Sequence, residues 1–188
     1  MAVAKKATTS LPPLRCWPAG QDVPAISVRQ PWASAICWCG KSIENRSSWP
    51  FRHRGPLVIH ASRTPATQAM VESFAEKVLE SGVPRARFFS RLERWSERED
   101  LGELINPYGA IVAVSTLAEV FEPGRKIPAG HPASGSPWAN DEAYRLFMTD
   151  ITPVRPVEFK GRFGLFKVPY KVILRLEPLT GLGVAVSP

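Results

Sequence analysis

Apolar positions recur along the chain with two periods, and the switches between them mark the elements. After Pro24, Ala25-Ile26-Ser27-Val28-Arg29 alternates and predicts a short first strand. Pro31 suits the first turn of a helix, where a missing N–H is no loss. Trp32, Ala35, Ile36 and Cys39 then fall at helical spacing until Gly40 stops the element. Lys41 to Ser47 reads as a second strand, by context more than by propensity. Pro56 to Ala61 (PLVIHA) is a third, rich in strand formers and placed centrally. Thr64 is positioned to cap a helix in which Met70, Phe74 and Val78 share one face, ending at Ser81-Gly82. From Pro84, Phe88, Leu92 and Trp95 form a second helical stripe, with Arg85, Arg87, Arg91, Arg94 and Arg98 around it. Those arginines read either as a solvated face paired with Glu93, Glu97 and Glu99, or as a phosphate-contacting helix.

Tyr108 to Phe121 is the longest β-like run and predicts a core strand. Glu122 to Pro137 holds four prolines and three glycines, which predicts a long surface loop. Tyr144 to Thr149 is a further strand. Val154 to Phe159 is another, interrupted by Pro156 and therefore expected at an edge. A turn at Gly161 leads to Phe163–Val168, and Lys171 to Leu176 predicts a last strand. Short strands with helices grouped early predict an α+β protein, a small mixed β-barrel of about six strands with flanking helices. Residues 1–22 follow neither period and read as a flexible tail, pinned late by Leu14 and Trp17. Residues 23–178 form one domain, followed by a C-terminal tail at 179–188.

Composition narrows the class. At 188 residues, 44% apolar and 22% charged, the chain has enough apolar content for a real core. It has no apolar run near 18 residues and no apolar leader segment, so neither a membrane-spanning helix nor a membrane partner is expected. Cys16, Cys37 and Cys39 make no disulfide framework, which points to a reducing cytoplasm. Charge is uneven: Lys41 to Arg63 holds five basic residues against Glu44 alone, a net +4 of the whole chain's +7. That concentration points to a polyanionic partner.

On a regular strand Ser42, Glu44 and Arg46 share one face, and Ile43 and Asn45 the other. A bend at Gly40 would bring the Lys41 ammonium round to Glu44. The trio reads either as a surface ion pair of little worth or as a half-buried carboxylate tuned by two cations beside a groove. Trp32 opens an apolar helix stripe and belongs more to the core than to a ligand. Trp49, between Ser48 and Pro50 in a polar turn, is harder to bury. With Arg46, Arg52, His53 and Arg54 around it, it could stack a base while the cations meet phosphates. His53, His60 and His131 are scattered without metal-ligand spacing, so no zinc site and no cofactor is expected. His60 alternates with Ile59 and reads as a satisfied interior histidine. There is no phosphate-cradling glycine loop and no GxSxG elbow.

The segment resembles the ASCH domain, a member of the PUA-like superfamily of RNA-associated small β-barrels. The matching residues are Ser27-Val28-Arg29-Gln30-Pro31-Trp32-Ala33, then Gly40-Lys41-Ser42-Ile43-Glu44-Asn45-Arg46, then Trp49. Arg54-Gly55-Pro56-Leu57-Val58-Ile59-His60-Ala61, Gly109–Val114 and Lys160–Phe166 are similar to the family's later strands. The resemblance implies a PUA-like barrel, a cleft beside the lysine–glutamate–arginine element, and RNA or nucleotide recognition. It makes residues 66–98 a helical insertion. Some family members are amidohydrolases acting on N4-acetylcytidine and others are reported ribonucleases. The amidohydrolases use a lysine and a threonine of this motif plus a later glutamate. The lysine matches Lys41, the threonine position holds Glu44, and Glu119 and Glu122 are candidates for the third group.

Together these readings predict a cytoplasmic protein that binds RNA, single-stranded nucleic acid, or a nucleoside or nucleotide. Gln30, Lys41, Glu44 and Arg46 would line the cleft floor with Trp32 beside them, and Trp49, Arg52, His53 and Arg54 would form the rim. The alternative is a hydrolase in the same cleft, with Lys41 as base or nucleophile next to Glu44. A third reading is a protein adaptor working through the Glu122 to Pro137 loop.

Overall fold

A computed structural model describes residues 11–14, 17–82 and 106–179. The second helical stripe from Pro84, its arginines and Cys16 lie outside these residues, as does most of the C-terminal tail.

Strands β1 (Val23–Val28), β2 (Ile43–Arg46), β3 (Gly55–Ala61), β4 (Ala110–Phe121), β5 (Tyr144–Glu158) and β6 (Leu165–Val168) form one mixed sheet. Helices α1 (Trp32–Trp38), α2 (Gln68–Glu80) and α3 (Tyr170–Ile173) flank it. The strand order is β2-β5-β4-β3-β1-β6. β1 and β3 run parallel, and every other pairing is antiparallel.

The central strands are apolar on both faces because both faces are covered. Ile26, Val28, Leu57, Ile59 and Leu117 pack with α1 in one core. Ala25, Val58, Ile111 and Val114 pack in the other with Leu11, Leu14 and Ile173. The N-terminal leucines and α3 therefore close a face that the early helices cannot reach.

The α+β class and the count of six strands hold, but the ladder does not close into a barrel. β2 and β6 are both edge strands in the sheet order. The curl is nonetheless tight, since the Arg46 side chain at the β2 edge reaches the β1 backbone.

Several local expectations are corrected. Tyr144–Glu158 is a single strand rather than two; its first part lies between β2 and β4, and its second part, with Pro156, extends past β2. Its ladder to β2 covers only Tyr144 to Phe147. Pro153 and Pro156 fall beyond that ladder, where their missing N–H groups cost no β2 pairing. Between the two halves Asp150 takes φ 50°, a left-handed conformation that short polar side chains tolerate. Lys171 to Leu176 is not a strand: Pro169 opens the short helix α3, and Ile173 and Leu176 are buried one helical turn apart. Thr67, not Thr64, caps α2, accepting from the Met70 N–H at 3.3 Å.

Candidate functional site

The lysine–glutamate–arginine element begins where α1 ends. Gly40, at φ 69°, turns the chain so that the Lys41 N–H returns to the Ala35 carbonyl at 3.2 Å. Ile43 then points into the core, fully buried, and Glu44 and Arg46 take the opposite face. The same bend carries the Lys41 ammonium under Glu44. Lys41 Nζ lies 2.9 Å from Glu44 Oε2 and also donates to the Ile43 carbonyl. Arg46 Nε lies 3.2 Å from Glu44 Oε1, an ion pair whose angle falls short of a hydrogen bond. Each carboxylate oxygen thus faces its own cation. Burial pushes the Lys41 pKa down, opposed by Glu44 and reinforced by Arg46.

Asn45, on the other face, ties β2 to the long proline-rich loop. It donates to the Trp138 carbonyl at 2.8 Å and accepts from the Asn140 N–H at 3.0 Å. Trp138 in turn meets the edge of Trp32, whose other neighbour is Phe74 of α2. Trp32 is therefore both core and wall.

A cleft of about 830 Å³ opens between the β2 edge, the ends of β1 and β3, and the turn that precedes β6. Its floor is Glu44, Arg46, Ser27 and His60, and Trp32, Met70 and the turn 160–163 also line it. Among the described residues the charged groups lining it are Arg29, Arg46, Arg63, Lys160 and Arg162 against Glu44. Arg63 is shared with Glu158, 2.7 Å away at the exposed rim.

Ser27 and His60 are register partners on parallel β1 and β3. His60 Nε2 meets the Phe159 carbonyl at 2.9 Å and so carries the proton. Nδ1 then accepts from the Ser27 hydroxyl at 3.1 Å. Burial holds the His60 pKa below the usual imidazole value, with the Phe159 hydrogen bond acting the other way. His60 is thus a satisfied interior histidine and also part of the cleft floor.

Of the residues expected in the site, the cleft gathers Trp32, Glu44 and Arg46, with Lys41 packed directly beneath Glu44. Gln30 is not on the floor. It is fully buried, bonding the Pro107 carbonyl at 2.8 Å and accepting from the Ser34 N–H and hydroxyl at the start of α1. Trp49 is not an exposed stacking ring. It is 7% exposed, packs edge-on against Phe51 and belongs to the core. Arg52, His53 and Arg54 do not line the cleft. Arg52 and Arg54 are exposed elsewhere, and His53 meets the Pro56 carbonyl. Glu119 pairs with His131 at 3.3 Å, and neither it nor the exposed Glu122 lines the cleft.

Sequence reasoning missed Ser27, Arg29, Lys160, Arg162 and Phe163 as cleft residues. The available signal was Lys160-Gly161-Arg162-Phe163, a glycine between two cations followed by an aromatic. Burial pushes the Cys37 thiol far up, away from reactivity. Among the described residues no group of three His, Cys, Asp or Glu side chains is placed to hold a metal, and no helix is long and apolar enough to cross a membrane.

No family model matches the chain, and no curated protein matches it. Among solved structures, the ASCH protein from Zymomonas mobilis is similar at 12% identity and a TM-score of 0.46, over 82% of this chain and 95% of that one. A point mutant of the same protein matches with the same identity and score, over 98% of its length.

Proposed function

We propose that the cleft binds RNA, another single-stranded nucleic acid, or a modified nucleotide. One observation carries the reading: a hollow within the usual ligand-site range of roughly 300–1,000 Å³ is lined, among the described residues, by five cations and one carboxylate. Such a balance favours phosphate, and the Glu44 carboxylate supplies an acceptor for a base amine. Filter binding of a short RNA across a salt series tests it. Affinity should fall with log salt with a slope of about −0.7 per phosphate neutralised. An Arg29→Ala/Arg46→Ala variant should bind more weakly and with a shallower slope, and an Arg52→Ala/Arg54→Ala variant should not. Affinity insensitive to salt, or unchanged in the first variant, would overturn the reading.

A hydrolase in the same cleft is favoured by one feature, the depression of the Lys41 pKa by burial, which moves the amine toward its basic form. Against it, Lys41 is only 2% exposed and lies behind Glu44. Incubation with N4-acetylcytidine and with short RNA separates the readings. Turnover lost in Lys41→Met supports the hydrolase, and binding without turnover removes it.

A further inference from the structure

Phe163 is 96% exposed, whereas the other exposed large apolar side chains among the described residues lie between 44% and 56%. It stands on the cleft rim beside Arg162 and Lys160. The turn that carries it is pinned at both ends. On the incoming side the Phe159 N–H donates to the Gly109 carbonyl at 3.0 Å, and the Phe159 carbonyl holds His60 Nε2. Gly161 then passes so close to the cleft floor that a Cβ there would overlap His60 Cε1, His60 Nδ1 and Ser27 Oγ. On the outgoing side Gly164 takes φ 71° and Leu165 enters the β6 ladder opposite Ile26. The backbone therefore holds an aromatic ring in water between anchored flanks, with two cations next to it.

We propose that Phe163 stacks an unpaired base at the mouth of the cleft while Lys160 and Arg162 meet the flanking phosphates. This rests on the nucleic-acid reading of the cleft and narrows it: the partner is single-stranded. In a duplex each base is already stacked and paired, so a ring projecting from a protein turn reaches a base only where the strand is open. A ring flanked by cations is the pattern of sequence-tolerant single-strand binding, in which the aromatic supplies stacking and the cations follow the backbone. A protein partner with an apolar surface would instead have to desolvate Lys160 and Arg162 to reach the ring.

Fluorescence anisotropy of the full chain with a labelled twelve-nucleotide RNA, its DNA equivalent and the corresponding duplexes tests this. Phe163→Ala should weaken single-strand binding about 5- to 150-fold. Phe163→Leu, apolar but without a π face, should lose nearly as much. Phe163→Trp should keep affinity, and its added indole emission should be quenched by the single strand. Wild-type affinity in Phe163→Ala, or equal affinity for duplex and single strand, overturns the stacking role; if Arg29→Ala/Arg46→Ala still weakens binding, the cleft reading survives that result. No binding of any oligonucleotide at low salt overturns both.

Discussion

Arg46 Nη2 donates to the Ser27 carbonyl at 2.7 Å, joining the β2 edge to β1 across a gap that no backbone ladder closes. A side chain thus does what strand pairing does in a closed barrel, and it leaves room beside itself for the cleft. Arg46→Ala should remove a charge-assisted bond worth about 1.5–3 kcal/mol. The Tm should fall by roughly 2–4 °C per kcal/mol lost. Arg46→Lys, which has no planar fork to meet both Ser27 and Glu44, should recover only part of it. Scanning calorimetry of the two variants decides the point. A Tm unchanged in Arg46→Ala would mean the seam needs no bridge.

The Lys41–Glu44 pair makes a pH-dependent prediction. Burial lowers the folded pKa of Lys41 below 10.5 while Glu44 works to raise it. A lysine with a depressed folded pKa binds its proton better when unfolded, so stability rises with pH from the folded value up to about 10.5. Glu44→Gln removes the opposing carboxylate and moves the start of that window to lower pH. The variant should be less stable at pH 7 by about 3–5 kcal/mol, as for breaking a buried pair, and its deficit should shrink toward pH 10. Urea unfolding at pH 7 and 9.5 measures both. A deficit independent of pH would show that Lys41 does not titrate with the fold.

His60 acts at the acid end. Burial lowers its pKa from the ordinary 6.5, and the same direction holds for His53. The unfolded chain therefore takes up these protons first, and stability present above pH 6.5 is lost as pH falls below it. His60→Gln retains an amide for the Phe159 carbonyl and should flatten part of the loss between pH 7.5 and 5.5. His53→Gln should flatten another part. Unfolding midpoints at three pH values, in each variant, are the measurement. An unchanged slope in both would assign the acid sensitivity to other groups.

The legible parts of the fold were those whose residues answer to one local rule. β3 and β4 are apolar on both sides because both faces are packed, and their runs read as strands without help. Gly40 and the Ser42/Glu44/Arg46 alternation placed the motif, and Gly40 brought Lys41 round as the bend required. Other features depended on distant partners. Trp49 sits among polar neighbours in sequence, yet Phe51 and the core supply its cover. Arg52 and Arg54 raised the local charge density without facing the cleft, while Arg29, Lys160 and Arg162 reached it from chain segments far apart. β5 looked like two strands because Asp150 and the prolines interrupt its pattern, and only its neighbours show it to be continuous.

Two glycines separate backbone strain from close approach. Gly40 has φ 69° and open space where a Cβ would go, so Gly40→Ala should cost only the left-handed backbone penalty, about 1–2 kcal/mol. Gly161 lies outside the left-handed region, so alanine is conformationally allowed there, but its Cβ would overlap His60 and Ser27. Relieving that overlap must move either the Lys160–Phe163 turn or the imidazole, at about 1–3 kcal/mol. Gly161→Ala should therefore shift the His60 ring resonances and weaken oligonucleotide binding through the displaced Arg162 and Phe163, whereas Gly40→Ala should leave the His60 resonances in place. Histidine-selective NMR and calorimetry on the two variants distinguish the mechanisms. If Gly161→Ala leaves the His60 signals and the Tm untouched, the turn is free to move and does not hold Phe163 over the cleft.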